Sequence, residues 1–347
     1  MVNGNIGKPN PIIASSIAID AVNVAPFIYA YPFTSAGGYG TKFSDPASAL
    51  PSRPNSISIA GNGTAIAIAT STTPFINVYA YSSTGFGSKF ANPATLPTVG
   101  ASLHAIKFNY AATSVIMGGP SGNTTLIGYP FSTSTGFGTK YTNPTSLGAI
   151  GGLALSSNSD VVVAAQSNTP WIEAWPFSVT TGFGTKYSAP ATLPGASQTD
   201  VAIHPATTAV VTTGSATSPY MHGYPFSTST GFGTKYSGPA TVSQAPEGIT
   251  FNPTGDYVVT GGTGTPWQGG YPFNASTGFG TKISNPATAL PGAALTVSFN
   301  SAGDAVAFAT SSTPFINTYA WSAGAYGTKY ANPATIPTSS VSAMSFI

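Results

Sequence analysis

The side chains in this sequence that could do chemistry are few, and their spacing pairs none of them. Cysteine is absent, which excludes a thiolate nucleophile, disulfides and a Cys-ligated metal. The histidines are His104, His204 and His222. A shared metal ion would need their imidazoles to converge, and their separation along the chain gives no reason to expect it. The acids are Asp20, Asp45, Asp160, Glu173, Asp200, Glu247, Asp256 and Asp304. Asp200 and Glu247 fall near the start of what reads as an inner strand, but two isolated carboxyls do not make a hydrolase. Asp160, Asp256 and Asp304 recur in a turn, where aspartate bonds nearby backbone. No Gly-x-Ser-x-Gly elbow and no phosphate loop occurs. Asn62, Asn123 and Asn274 stand in N-x-[ST] sequons, which chance explains in a chain so rich in Ser and Thr. The expectation is a non-enzymatic protein with no cofactor and no metal.

The basic residues tell a different story. Charged residues are only 5% of the 347, and the net charge is +2; an ordinary soluble domain is about a quarter charged. No basic field exists to attract nucleic acid or anionic lipid. Seven of the ten Lys and Arg residues belong to one recurring phrase, seen as STSTGFGTKYTNPTS from Ser132 and again as STSTGFGTKYSGPAT from Ser227. Its lysine falls at Lys42, Lys89, Lys140, Lys186, Lys235, Lys282 and Lys329, in steps of 47, 51, 46, 49, 47 and 47 residues. A period of this length, dense in Gly, Pro and Thr, predicts blades rather than helical repeats. Hydrophobic residues are 41% and aromatics 12%, enough to offset the entropy of ordering the chain.

One unit shows the elements. LTVSFN (Leu295–Asn300) and AVAFAT (Ala305–Thr310) alternate like strands around the turn SAGD. FINTYAWS (Phe315–Ser322) is a third strand rich in aromatic and β-branched residues. TKYAN (Thr328–Asn332) reads as a short fourth, with the prolines between strands, where a missing N–H matters least. The first unit begins at its second strand, SSIAIDAVNVAPFIYAYPF (Ser15–Phe33), and the chain ends on VSAMSFI (Val341–Ile347), which matches a first strand. One unit is thus split between the ends, as a closed ring requires; an open solenoid would instead carry polar caps.

VSFNSAGDAVAFAT, ITFNPTGDYVVTGG (Ile249–Gly262) and INTYAWS resemble the first hairpin and third strand of seven-bladed β-propellers of the WD-repeat or YVTN-like kind. The resemblance covers residues 15–347. It implies an all-β ring of four-stranded blades over 14–347, closed by 341–347, with 1–13 as an N-terminal arm. The sequence departs from WD repeats in lacking recurrent Gly-His and Trp-Asp pairs. The long repeat phrase is similar to those of bacteriophage virion proteins.

Three recurrent positions follow from the alignment. Tyr39, Phe86, Phe137, Phe183, Phe232, Phe279 and Tyr326 sit between glycines, or beside one, and are expected to pack between blades. The seven lysines are expected to guard an outer edge strand against pairing with other chains, or else to contact a partner. Phe27, Phe75, Trp171, Tyr220, Trp267 and Phe315 precede the third strand, with Thr125 in the remaining unit. Burial between blades is one reading of them; glycan stacking, made multivalent by the ring, is the other.

The resulting expectation is a structural or interaction protein, a phage virion component such as a decoration, fibre or tail-associated protein. Its partners would be other proteins of a large assembly, engaged through the arm that contains GKPNPII. The alternative is a lectin-like propeller that binds surface glycans in adhesion; a propeller enzyme such as a lactonase ranks last. No apolar run approaches the ~20 residues of a membrane helix. The N-terminus lacks the pattern of a Sec signal peptide, so a virion or extracellular location would be reached by another route.

Overall fold

The alternation in AIAIAT (Ala65–Thr70) explains the architecture. Successive strand residues face opposite sides, so Ala65, Ala67 and Ala69 point one way and Ile66 and Ile68 the other. Both sets are fully buried. A sheet with two apolar faces must be covered on both, and here its neighbours are sheets of the same kind. The alanines join one core cluster with Ile106, Phe108 and Met117 of the next sheet. The isoleucines join another with Ala18, Ile28 and Ala30 of the previous one. The rule recurs in AVAFAT: Ala305, Ala307 and Ala309 meet one neighbour, and Val306 and Phe308 the other.

The computed structural model describes residues 15–20, 25–97, 104–119, 126–145, 148–214, 218–242 and 245–347. The expected arm, 1–13, and Thr125 lie outside them. The described residues form seven four-stranded antiparallel sheets and no helix. The chain is an all-β, seven-bladed propeller, as the repeat predicts. Blades 2 to 7 each run inner, second, third and outer strand in chain order. Their inner strands are Pro54–Ile59, Ala105–Phe108, Ile150–Leu155, Asp200–Ile203, Pro246–Phe251 and Ala294–Phe299. Blade 1 takes its inner strand, Met344–Phe346, from the far end of the chain. That strand pairs with Ser16–Asp20, setting Ile17 against Phe346 and Ile19 against Met344. Val341, Ala343, Met344 and Phe346 are buried at this seam.

The outer strand differs from expectation. In blades 2 and 7 it runs Gly85–Lys89 and Ala325–Lys329; in the other five it is only two residues, such as Gly38–Tyr39. The cause is proline within the third strand, not between strands. Pro32, Pro130, Pro176, Pro225 and Pro272 occupy the position held by Ala80 and Ala320 in blades 2 and 7. The carbonyl of Pro32 accepts from Gly40 N–H on the outer side, so the donor that proline lacks is the one that would extend outer pairing. The outer edge stays short, which suits an edge open to water.

Blades are also joined by hydrogen bonds between a third strand and the linker before it. Tyr31, Tyr79, Tyr129, Tyr224, Tyr271 and Tyr319 have fully buried rings. Their hydroxyls donate to the carbonyls of Thr335, Ser48, Thr95, Thr192, Thr241 and Thr288, at 2.7–3.0 Å. Each acceptor lies in the Pro-Ala-[Thr/Ser] of the preceding linker. Blade 4 has the buried Trp175 instead.

Two outcomes are expected. A chain ending at Ser339 exposes the faces of blade 1 and should melt well below the full chain; equal melting temperatures would refute closure by the last strand. Tyr224→Phe leaves the Thr192 carbonyl without its donor and should lower the unfolding free energy by about 1–3 kcal/mol in chemical denaturation.

Candidate active site

The inner strands surround the ring axis, and their first residues wall a cavity of about 130 Å³ to which every blade contributes. At the inner-strand position opposite the fifth residue of the second strand stand Ser56, Ala105, Gly152, Gly248 and Thr296 in five blades, and Asp200 in blade 5. The repeat is small and neutral there, with one acid as the exception. Ser56 Oγ accepts from Ile106 N–H of the next blade at 3.1 Å. The Asp200 carboxylate makes the matching bond, Oδ2 accepting from Ile249 N–H at 3.0 Å, while Oδ1 accepts from Val201 N–H at 2.9 Å. Blade 4 makes room for it: a Cβ on Gly152 would stand 2.6 Å from Asp200 Cα, the close backbone approach that glycine in a strand allows.

Three further ionisable side chains line the same cavity: Lys107 and His104 of blade 3 and Glu247 of blade 6. Lys107 belongs to AIKF and sits among buried neighbours, yet is itself exposed to the channel. Burial raises the Asp200 carboxyl to about 6, although the Lys107 ammonium and the two backbone donors pull the other way. Burial likewise raises Glu247. Asp200 keeps a partly accessible surface, yet it is packed among inner strands, and its charged form is poorly hydrated.

The other titratable groups are placed elsewhere. His204 lies in the hairpin of blade 5, its ring 5.3 Å edge-on to Phe251. His222 is buried in the third strand, and desolvation pushes it down to about 4. No group of three His, Asp or Glu suited to a metal occurs among the described residues. Asp160 accepts from Ser156 Oγ at 2.6 Å, and Asp304 accepts from Asn300 at 2.7 Å, both across a hairpin turn. Glu173 pairs with Lys186, and Asp45 with Lys42.

The recurrent lysines fold back on their own phrase. Lys140, Lys282 and Lys329 donate to the asparagine three residues on, Asn143, Asn285 and Asn332, at 3.1, 2.6 and 3.2 Å. Lys42 reaches Asp45 in the same way. Where that residue is Ala189 or Gly238, the lysine turns elsewhere: Lys186 to Glu173, Lys235 to the Leu193 carbonyl. Lys89 ends the outer strand of blade 2, and partial burial lowers it. In five blades the lysine stands beyond the shortened outer strand. The aromatics Phe27, Phe75, Trp171, Tyr220, Trp267 and Phe315 are all half-buried at φ of 58–67°. Each follows a cis proline, and Phe75 N–H closes a tight turn on Thr72 O at 2.8 Å. Phe27, Phe75, Trp267 and Phe315 pack on interface cores. The glycine-flanked aromatics meet third-strand rings edge to face, as Tyr129 and Phe131 meet Phe137.

Linear sequence singled out Asp200 and Glu247 but left them as lone acids, and it passed over Lys107. The signal for Lys107 was its standing outside the repeat phrase, between apolar residues of an inner strand.

No family model matches the sequence, and no curated protein does either. Solved structures share the fold. One is the periplasmic gluconolactonase of Pseudomonas aeruginosa, with a TM-score of 0.69 and 10% identity over 96% of this chain and 99% of that one. Another is a protein assigned as a 6-phosphogluconolactonase from Bacteroides fragilis, with a TM-score of 0.74 and 11% identity over 98% and 100%. A third is a protein from Lactobacillus plantarum, with a TM-score of 0.70 and 12% identity over 96% and 99%. These likenesses overturn the expectation of a non-enzymatic virion component or adhesin: solved structures that share the fold carry lactonase names, and no family model ties the sequence to phage proteins or WD repeats. The physical reason for the error is that residues about 50 or more positions apart meet only across the ring axis.

A raised carboxyl weakens the fold when ionised. The folded state keeps the Asp200 proton up to about pH 6, while the unfolded chain loses it near 3.9. Stability therefore falls as pH rises through that window, by roughly 2 kcal/mol after allowance for channel water. Asp200→Ser restores the Ser56 arrangement without the charge. It should melt above the parent at pH 8, with the gap closing by pH 4; a gap independent of pH would show that ionisation of Asp200 is not the cause.

Proposed function

We propose that this chain is a hydrolase that opens a small lactone or ester in the axial channel. The observation that carries the reading is the break in the repeat: a desolvated Asp200 and an ammonium, Lys107, in one cavity where other blades carry small residues. The likeness in fold to gluconolactonase and to the protein assigned as 6-phosphogluconolactonase supports it.

In this reaction Asp200, ionised at neutral pH, takes a proton from water as the water oxygen attacks the carbonyl carbon. A base near pH 6 is well matched to that task. Lys107 faces the negative charge that develops on the carbonyl oxygen, in a water-poor site where such stabilisation is strong. The ring C–O bond then breaks, and Asp200 returns the proton to the leaving oxygen, giving the hydroxy acid. No metal enters this route.

Proton release from a panel of lactones and simple esters tests it. The rate should rise with pH through about 6, and Asp200→Asn should lose about 10²–10⁴-fold. Lys107→Met should cost on the order of 10²-fold in kcat. A folded protein that turns over none of them, or an Asp200→Asn variant as active as the parent, would sink the proposal.

A further inference from the structure

Adjacent inner strands are joined by side-chain acceptors. Each acceptor takes a backbone N–H that the next blade turns away from its own ladder. Ser56 Oγ accepts from Ile106 at 3.1 Å, Ser58 Oγ from Phe108 at 2.9 Å, Ser345 Oγ from Ile59 at 2.9 Å and Asp200 Oδ2 from Ile249 at 3.0 Å. Blade 4 presents the same groups. Leu153 and Leu155 stand opposite Ala164 and Val162, as Ile106 and Phe108 stand opposite Met117 and Val115. In an antiparallel pair that register turns their N–H groups outward too.

Blade 3 offers them no acceptor. Ala105 stands where blade 2 has Ser56, and Lys107 where it has Ser58. A methyl group accepts no hydrogen bond, and an ammonium only donates. Among the described residues no backbone carbonyl outside the strand ladder takes either N–H. The Asp200 oxygens are engaged with Val201 and Ile249. A donor in a cavity wall that lacks a protein acceptor is completed by water or by a ligand. The seam between blades 3 and 4 therefore holds two backbone donors and an ammonium where the seam between blades 2 and 3 holds closed hydrogen bonds.

The place of this seam gives it a use. Leu153 and Lys107 line both the small axial cavity and the wider, solvent-open one at the other ends of the inner strands. A Cβ on Gly152 would lie 2.4 Å from Asp200 Oδ1, so the carboxyl sits against the residue just before the Leu153 N–H. Ammonium, N–H and carboxyl come from blades 3, 4 and 5 in order. The Leu155 N–H lies two residues, about 7 Å, further along the strand, too far to share one oxygen with Leu153.

We infer that the Leu153 N–H and the Lys107 ammonium together form the oxyanion hole of this site. As water adds to the carbonyl carbon, the C=O electron pair moves onto oxygen and both donors bond to it. The pair returns when the acyl C–O bond breaks. This rests on the hydrolase reading and adds to it a backbone donor, one left open because blade 3 carries Ala105 where blade 2 carries Ser56.

Ala105→Ser tests the inference, because its hydroxyl should take the Leu153 N–H as Ser56 takes that of Ile106. The kcat for lactone opening should fall about 10²-fold, with the rise through about pH 6 kept and the melting temperature equal to the parent's or higher. Ala105→Cys adds similar volume but only a weak acceptor and should stay within about threefold of the parent. An Ala105→Ser variant as active as the parent, or equal losses in both variants, overturns the assignment. A second measurement does not need turnover: amide spectra of the deuterated, 15N-labelled protein titrated with formate at pH 5, where formate is ionised and Asp200 keeps its proton. The Leu153 amide should shift in a saturable way, and Ala105→Ser should abolish the shift. That result supports the donor even where the parent opens no lactone, which would refute only the hydrolase reading. A Leu153 amide that ignores formate, or a shift that survives in Ala105→Ser, overturns the oxyanion hole.

Discussion

Everything in this molecule depends on burial between blades. Among the described residues no blade has a core of its own: each of the seven apolar clusters is shared by two adjacent blades. Removing an Ile side chain from water stabilises by about 1.5–3 kcal/mol, and that gain is available only when the neighbouring face is in place. The ring must therefore close. The closing strand is short, yet with the residues flanking it the chain end completes two of the seven interfaces, because Phe346 and Met344 serve one and Ala343 and Ile347 the other. The same logic runs around the outside, where Phe43, Phe90, Tyr141, Tyr187, Tyr236 and Tyr330 each lie edge to face against an aromatic of the following blade. The last of these, Tyr330 on Phe33, crosses the seam.

Repetition and exception divide the work. What recurs is structural: the tyrosine hydroxyls on linker carbonyls, the glycine-flanked aromatics, the lysine bonded three residues on. The lysine shows how completely a charge can be absorbed into local structure, since replacing its asparagine by Ala189 or Gly238 redirects it to another acceptor. The exceptions gather on the axis. A chain with eight acids and ten Lys and Arg places Lys107, Asp200 and Glu247 around one small cavity, where a carboxylate is costly to keep ionised. A fold selected for stability alone would carry serine at position 200, as blade 2 carries Ser56.

The period, the split unit and the strand alternation were legible in the sequence, because each is a local pattern read against a known geometry. The outer strand was misread for a physical reason. Pro32 and its equivalents lie inside the third strand and shorten the outer one, since their missing donor faces outward, and only the register shows which side that is. The aromatics before the third strand read either as packing between blades or as a glycan-binding ring, and four of them pack on interface cores.

By itself, then, the sequence determined the number of blades, the place of closure and the apolar faces, all of which rest on spacing within about 50 residues. Only the tertiary structure decided which ionisable groups share a site. Lys107, Asp200 and Glu247 come from three blades, and no local rule relates them. They meet because the ring turns the first residues of every inner strand toward one axis, and burial there raises both carboxyls.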